Sequence, residues 1–166
     1  MNPLLPESPP KFLYEWKIDG SNDDAEVTFF LKLLHVFGGR AAGTGFSVNR
    51  LAGIAVDTAG DVYIAKPDTH QLQKFTSDGT FITEWGSFGD EPGQFSFPND
   101  VAASSDGHIY VADSLNHRIE KFTADGRFLL EWGELGSFES EFINARNLAV
   151  DSSGNVFVAD FRNHRI

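Results

Sequence analysis

A 47-residue unit recurs without insertion or deletion, each unit holds four short apolar runs, and turn-forming residues separate the runs. Together these observations predict an all-β fold: a partial β-propeller of four-stranded antiparallel blades. At one blade per unit, about 3.5 blades fall in this chain. The register rests on Gly60, Gly107 and Gly154, on Tyr63, Tyr110 and Phe157, and on Ala65, Ala112 and Ala159. Later in the unit, Phe75 matches Phe122, Gly79 matches Gly126, and Trp85-Gly86 matches Trp132-Gly133.

The second unit shows the strands most plainly. Its apolar runs are Asp100 to Ala103, Ile109 to Asp113, Arg118 to Phe122 and Phe128 to Trp132. Gly, Asp, Ser and Asn fill the intervals, and these residues accept tight turns and positive φ. No window sustains a helical period. The linkers Gly86 to Phe95 and Gly133 to Phe142 must carry the chain from the outermost strand of one blade to the innermost strand of the next. Their glycines permit that path. Phe88, Leu135, Phe95 and Phe142 are expected to anchor it, with Phe95, Phe97 and Phe142 packed between blades.

Residues 1–13 read as a flexible lead-in and 14–166 as propeller. Within it, 14–39 is a degenerate partial blade, 48–86 and 95–133 are blades, and 142–166 is a partial blade. In the first of these, Leu34 to Gly39 takes the register of a later outer strand. A closed ring takes about four to eight blades. Closure therefore calls for a longer chain or for homo-oligomeric assembly.

Composition narrows the chemistry. Thirteen basic and 24 acidic residues give a net charge of -11, which opposes binding to a phosphate backbone or an anionic membrane. The absence of cysteine removes disulfides, thiolate metal sites and cysteine nucleophiles. Met1 to Pro10 shows neither the basic start nor the apolar run of a secretory signal, and no stretch reaches the roughly 20 apolar residues of a membrane span. Sixteen phenylalanines suit thin sheets packed face to face.

The run VADSLNHRIEKF, Val111 to Phe122, and its echo VADFRNHRI, Val158 to Ile166, resemble the NHL repeat. The looser IAKPDTHQLQKF, Ile64 to Phe75, extends the likeness, which covers roughly residues 46–166. The resemblance implies a propeller that presents its surfaces to a partner. Such propellers serve as protein- or RNA-binding modules in tripartite-motif ubiquitin ligases, as sensor domains of bacterial receptor kinases, and as a zinc-dependent amidating lyase. One fold with several activities leaves the choice to the site residues.

Asp113 with Arg118, and Asp160 with Arg165, flank the turn between second and third strands, where charge-assisted hydrogen bonds would pin it. The preceding unit has Lys66 and Gln71 there, so acid and arginine vanish together. His70, His117 and His164 recur at the same interval. Equivalent positions on successive blades diverge around a ring, so these imidazoles are expected to bond within their own turns and not to share a zinc ion. The lyase's disulfides and histidine-bound zinc find no matching set.

Asp100 and Asn147 share one repeat position, with Gly53 as the third equivalent. Lactonases on related propellers hold a divalent ion with acidic and Asn ligands at the channel mouth. Asp100 and Asn147 are thus the candidate metal ligands, weighed against a role as turn caps. Acids such as Asp19, Asp23, Asp24, Glu26, Glu131, Glu134, Glu139 and Glu141 read as a solvated surface. Neither HExxH nor GxSxG occurs, and the glycine-rich GGRAAGTG at Gly38 to Gly45 lacks a phosphate-binding lysine. No catalytic or cofactor-binding residue is assigned, and a divalent metal is the single cofactor considered. The expected function is a non-catalytic scaffold that binds a protein or peptide. The alternatives are a metal-dependent hydrolase or lyase at the channel and, against the charge, an RNA-binding propeller.

Overall fold

The computed structural model describes residues 52–166. The predicted lead-in 1–13, the partial blade 14–39, the glycine-rich segment Gly38 to Gly45 and the first residues of the blade read from 48 lie outside the described residues. The first sheet comprises β1 (Ile54–Val56), β2 (Val62–Lys66), β3 (Gln71–Phe75) and β4 (Phe81–Trp85), hydrogen-bonded in that order. The second repeats the order with β5 (Pro98–Ala103), β6 (His108–Asp113), β7 (Arg118–Thr123) and β8 (Phe128–Trp132). A two-stranded sheet follows, of β9 (Ala145–Val150) and β10 (Val156–Asp160), ending in a 3-10 turn at Phe161–Asn163. All strand pairs within the sheets are antiparallel, and the arrangement is a partial β-propeller.

The sequence repeat is also a pairing repeat. Across the first sheet Ile54 faces Ile64, Ile64 faces Gln73, and Gln73 faces Glu84. Across the second, Val101, Val111, Glu120 and Glu131 hold the same row. Because side chains alternate along a strand, a shared register puts equivalent residues on equivalent faces. The turns that fix it are equally regular. Asp57 Oδ1 accepts from the amides of Ala59 and Asp61 at 2.9 and 3.0 Å. Asp151 Oδ1 does the same for Ser153 and Asn155 at 2.9 and 2.8 Å. Each carboxylate imitates a backbone carbonyl and closes its turn.

β6 explains why neighbouring sheets adhere. Ile109 and Val111 point to one face and join Tyr63, Ala65, Leu72, Phe95, Val101 and Phe122 in a buried cluster between the first two sheets. Tyr110 and Ala112 point to the other face and pack with Ile119, Ala145, Leu148 and Val158 between the second and third. A strand buried on both faces gains roughly 1.5–3 kcal/mol for each large apolar side chain removed from water. Aromatic edges reinforce both layers: Tyr63 meets Trp85 at 6.3 Å and Tyr110 meets Trp132 at 6.1 Å, both edge-on.

The linkers depart in part from expectation. Phe95 is fully buried and Phe142 half-buried, but Phe88 and Leu135 are 71% and 65% exposed, so they do not anchor the path. Each linker closes on itself through a parallel bridge, Phe88 with Phe95 and Leu135 with Phe142. The space beside the Trp-Gly pair admits one ring, and Phe95 or Phe142 takes it. Phe97 is half-buried with φ of 67° at the start of β5.

That ring seat explains the glycine after each tryptophan. Gly133 has φ of 102°, and a Cβ there would lie 2.5 Å from the Phe142 ring. Gly133→Ala therefore combines an unfavourable backbone with a clash and should destabilise the protein by roughly 2 kcal/mol or more, read as a lower urea midpoint. An unchanged midpoint would refute this account of the pair.

Candidate functional site

Two constellations recur around the described arc: one at the starts of the inner strands, the other where linker meets blade. At the inner strands, Asp100 Oδ1 accepts from its neighbour Val101 N at 3.0 Å. Its Oδ2 accepts from Leu148 N at 2.9 Å and faces Asn147 Nδ2 at 3.4 Å. Asn99 Nδ2 also donates to Arg146 O at 2.7 Å. A Cβ on Gly53 would fall 1.8 Å from Asp100 Oδ1, so the bare glycine lets β5 approach β1. Asp100 and Asn147 are thus brought together, with the carboxylate facing backbone amides. Beside them a crevice of about 620 Å³ is lined by Gly53, Phe97, Asn99, Arg146, Asn147 and Phe161. Among the described residues, no group of three or more His, Cys, Asp or Glu is placed to hold a metal ion.

At the linkers, pairing places Asp113 opposite Arg118. Arg118 Nε donates to Asp113 Oδ2 at 3.3 Å, and its remaining N–H groups turn away from the β6–β7 turn. Nη1 donates to Asp90 O at 2.6 Å, while Nη2 donates to Gln94 O at 2.8 Å and Glu91 O at 3.2 Å. Asp113 Oδ1 accepts Ser96 N at 2.7 Å, and Asn116 Nδ2 bridges Asp113 Oδ2 and Gly89 O at 2.7 and 2.8 Å. The third unit repeats the arrangement. Arg165 donates to Asp160 Oδ2 at 2.9 Å and to the carbonyls of Ser137, Phe138 and Glu141. Asn163 Nδ2 donates to Gly136 O at 2.9 Å. The planar fork of arginine matches several acceptors at once, so one side chain fastens an irregular linker that has no sheet partner of its own.

Sequence reasoning missed two members of this network. Glu120, fully buried, shares a face of β7 with Arg118 and accepts from Gly93 N at 2.9 Å. Its Oε1 lies 2.6 Å from Arg118 Nη2 without an aligned hydrogen bond. Glu131, read as solvated surface, is exposed and also pairs with Arg118 Nη1 at 2.9 Å. The signal was available in the alternation Arg118-x-Glu120 and in the matching glutamates of FITEW and FLLEW. In the first sheet the equivalents of Glu120 and Glu131 are Gln73 and Glu84, joined by a neutral-to-charged hydrogen bond of 2.9 Å.

Burial dominates the titration of these acids. It pushes Glu120 up to about 8, with Arg118 and the Gly93 N–H pulling the other way and Asp113 and Glu131 adding to the rise. Asp113 rises to about 6 for the same first reason, opposed by hydrogen bonds from Asn116 and Ser96 and by Arg118. A single guanidinium thus serves three carboxyls, and Glu120 holds its proton at neutral pH.

The repeated histidines differ from expectation. His70 Nδ1 accepts Phe97 N at 3.2 Å and His117 Nδ1 accepts Asn144 N at 3.1 Å, so each bonds the next unit and not its own turn. His70, His117 and His164 have φ of 57°, 57° and 54°, a left-handed backbone that turns the residue toward its neighbour. Burial lowers the pKa of His117, in keeping with a neutral ring that accepts a proton donor.

The NHL repeat family model matches residues 95–122 and 142–166. No curated protein sequence matches the chain. Solved structures do. A provisionally assigned phosphatase from Bacteroides thetaiotaomicron aligns over 73% of this chain and 34% of its own, with 15% identity and a TM-score of 0.58. Virginiamycin B lyase from Staphylococcus aureus aligns over 68% and 36%, with 20% identity and a TM-score of 0.50. Hydrazine synthase from Kuenenia stuttgartiensis aligns over 72% and 32%, with 15% identity and a TM-score of 0.50. The chain spans about a third of the length of each, and the likeness is one of fold. Among the described residues no helix is long and apolar enough to cross a membrane.

Glu120 supplies a pH test. Its folded value of about 8 stands above the ordinary 4.5, so between those pH values the native state holds a proton the unfolded chain releases. Its contribution is complete below that window and is lost as pH rises through it. Glu120→Gln, the residue found at position 73, should flatten the decline, measured as the urea midpoint against pH. A wild-type slope retained in the variant would assign the titration elsewhere.

Proposed function

We propose that this chain, whose repeats match the NHL repeat model over residues 95–122 and 142–166, acts as a non-catalytic scaffold that binds a protein or peptide partner. The observation that carries the proposal is the use made of its repeated polar residues. Asp113, Asn116, Arg118 and their third-unit equivalents are directed at linker backbone, which fixes a surface and converges on no reacting centre. Rigid display of this kind lowers the ordering cost of association. Chemical crosslinking of the protein in extracts of its own source, read by mass spectrometry, should return one reproducible protein partner. Failure to return any partner would overturn the scaffold reading.

The second reading, a metal-dependent hydrolase or lyase, is favoured by the juxtaposition of Asp100 and Asn147 beside the crevice. It competes with a bracing role, because both oxygens of Asp100 already face backbone amides. Calorimetric titration with Ca²⁺ or Mg²⁺ distinguishes them. The scaffold reading expects no saturable heat that Asp100→Asn abolishes, and such a heat would move the assignment to the metal site. Ring closure by self-association belongs to the same proposal. Sedimentation should then give a multiple of the chain mass, and a monomer mass would remove that element.

A further inference from the structure

The two ends of the blades differ in kind. In antiparallel blades the β2–β3 turn and the linker after β4 emerge at one end, while the β1–β2 and β3–β4 turns emerge at the other. The turns of the second end, residues 57–61, 76–80, 104–108, 123–127 and 151–155, carry no apolar side chain larger than alanine. The first end carries a row of exposed apolar groups: Phe88 at 71%, Leu115 at 54%, Leu135 at 65% and Phe138 at 77%. Phe88 lies between two four-stranded sheets, so its exposure arises with both neighbours in place. Its ring lies tilted against that of His70, with centroids 4.9 Å apart.

The backbone beneath this row is held in place. Arg118 and Asn116 grip the linker bearing Phe88, and Arg165 and Asn163 grip the one bearing Leu135 and Phe138. The same linkers contain Asp90, Glu91, Glu134, Glu139 and Glu141 and no lysine or arginine. Arg162 and Arg146 stand at the edge of this end, the latter 4.9 Å over the Phe161 ring.

We infer that this end of the blades binds a peptide segment combining aromatic or aliphatic anchors with lysine or arginine. The inference rests on the scaffold reading and names its face and partner chemistry. Apolar anchors supply contact area for burial, and interspersed acids attract cations while repelling nucleic acid and acidic peptides. Among the described residues, the turns of the opposite end offer no such anchor, and the exposed apolar residues that border them, Val56 and Phe81, belong to strands β1 and β4.

Selection of a random 12-residue peptide display library against the whole protein tests it. The enriched peptides should pair Leu, Phe or Trp with Lys or Arg, and should protect 86–95 and 133–142 from hydrogen exchange. The paired variant Phe88→Ser/Leu135→Ser should weaken binding tenfold or more. Because both side chains project into solvent, the variant should keep the wild-type circular dichroism and urea midpoint. Enrichment of acidic or uncharged peptides, or a footprint on the opposite turns or a strand edge, would overturn the inference and leave the scaffold reading standing. Tight binding undiminished in the paired variant would do the same. A library that yields no binder, together with crosslinking that yields no partner, would overturn both.

Discussion

A sheet of four strands, each only a few residues long, has two faces and no interior, so its stability depends on the next sheet covering it. The central strand β6 meets this constraint by being apolar on both faces, one toward Tyr63 and Leu72, the other toward Leu148 and Val158. Much of the remaining architecture follows from that demand. The chain must leave an outer strand, cross the blade and restart at the inner edge without losing register. Glycine after tryptophan provides the crossing, and the ring of Phe95 or Phe142 fills the space that glycine leaves.

The crossing segment is the weak point of such a fold, since its carbonyls have no strand partner. Arginine resolves this by reaching out of β7 to satisfy three linker carbonyls while its own charge is met by Asp113 and Glu131. A structural latch and a display surface are thereby the same object. The linker that must be fixed to keep the blades together is also the segment that projects Phe88, Leu135 and Phe138 into solvent. Rigidity at that end therefore comes from packing and hydrogen bonding already required by the fold.

The units also show how charge is varied on a constant frame. Lys66, Gln71, Gln73 and Glu84 in the first sheet stand where Asp113, Arg118, Glu120 and Glu131 stand in the second. Pairing is unchanged, yet a set of one lysine, two neutral amides and one carboxyl has been exchanged for one cation among three carboxyls. Only the latter set must hold a proton on a buried glutamate.

The sequence alone determined the blade period, the strand positions and the pairing of Asp113 with Arg118, because each depends on local alternation or on a repeat that can be aligned by eye. It also placed Asp100 and Asn147 at one repeat position. Tertiary structure decided where those groups point. Whether His117 bonds its own turn or the next unit, and whether Phe88 or Phe95 enters the layer, depend on how adjacent sheets and linkers are set in space. Contacts across blades join residues tens of positions apart through backbone amides and carbonyls, which every residue carries and which leave no mark in side-chain pattern.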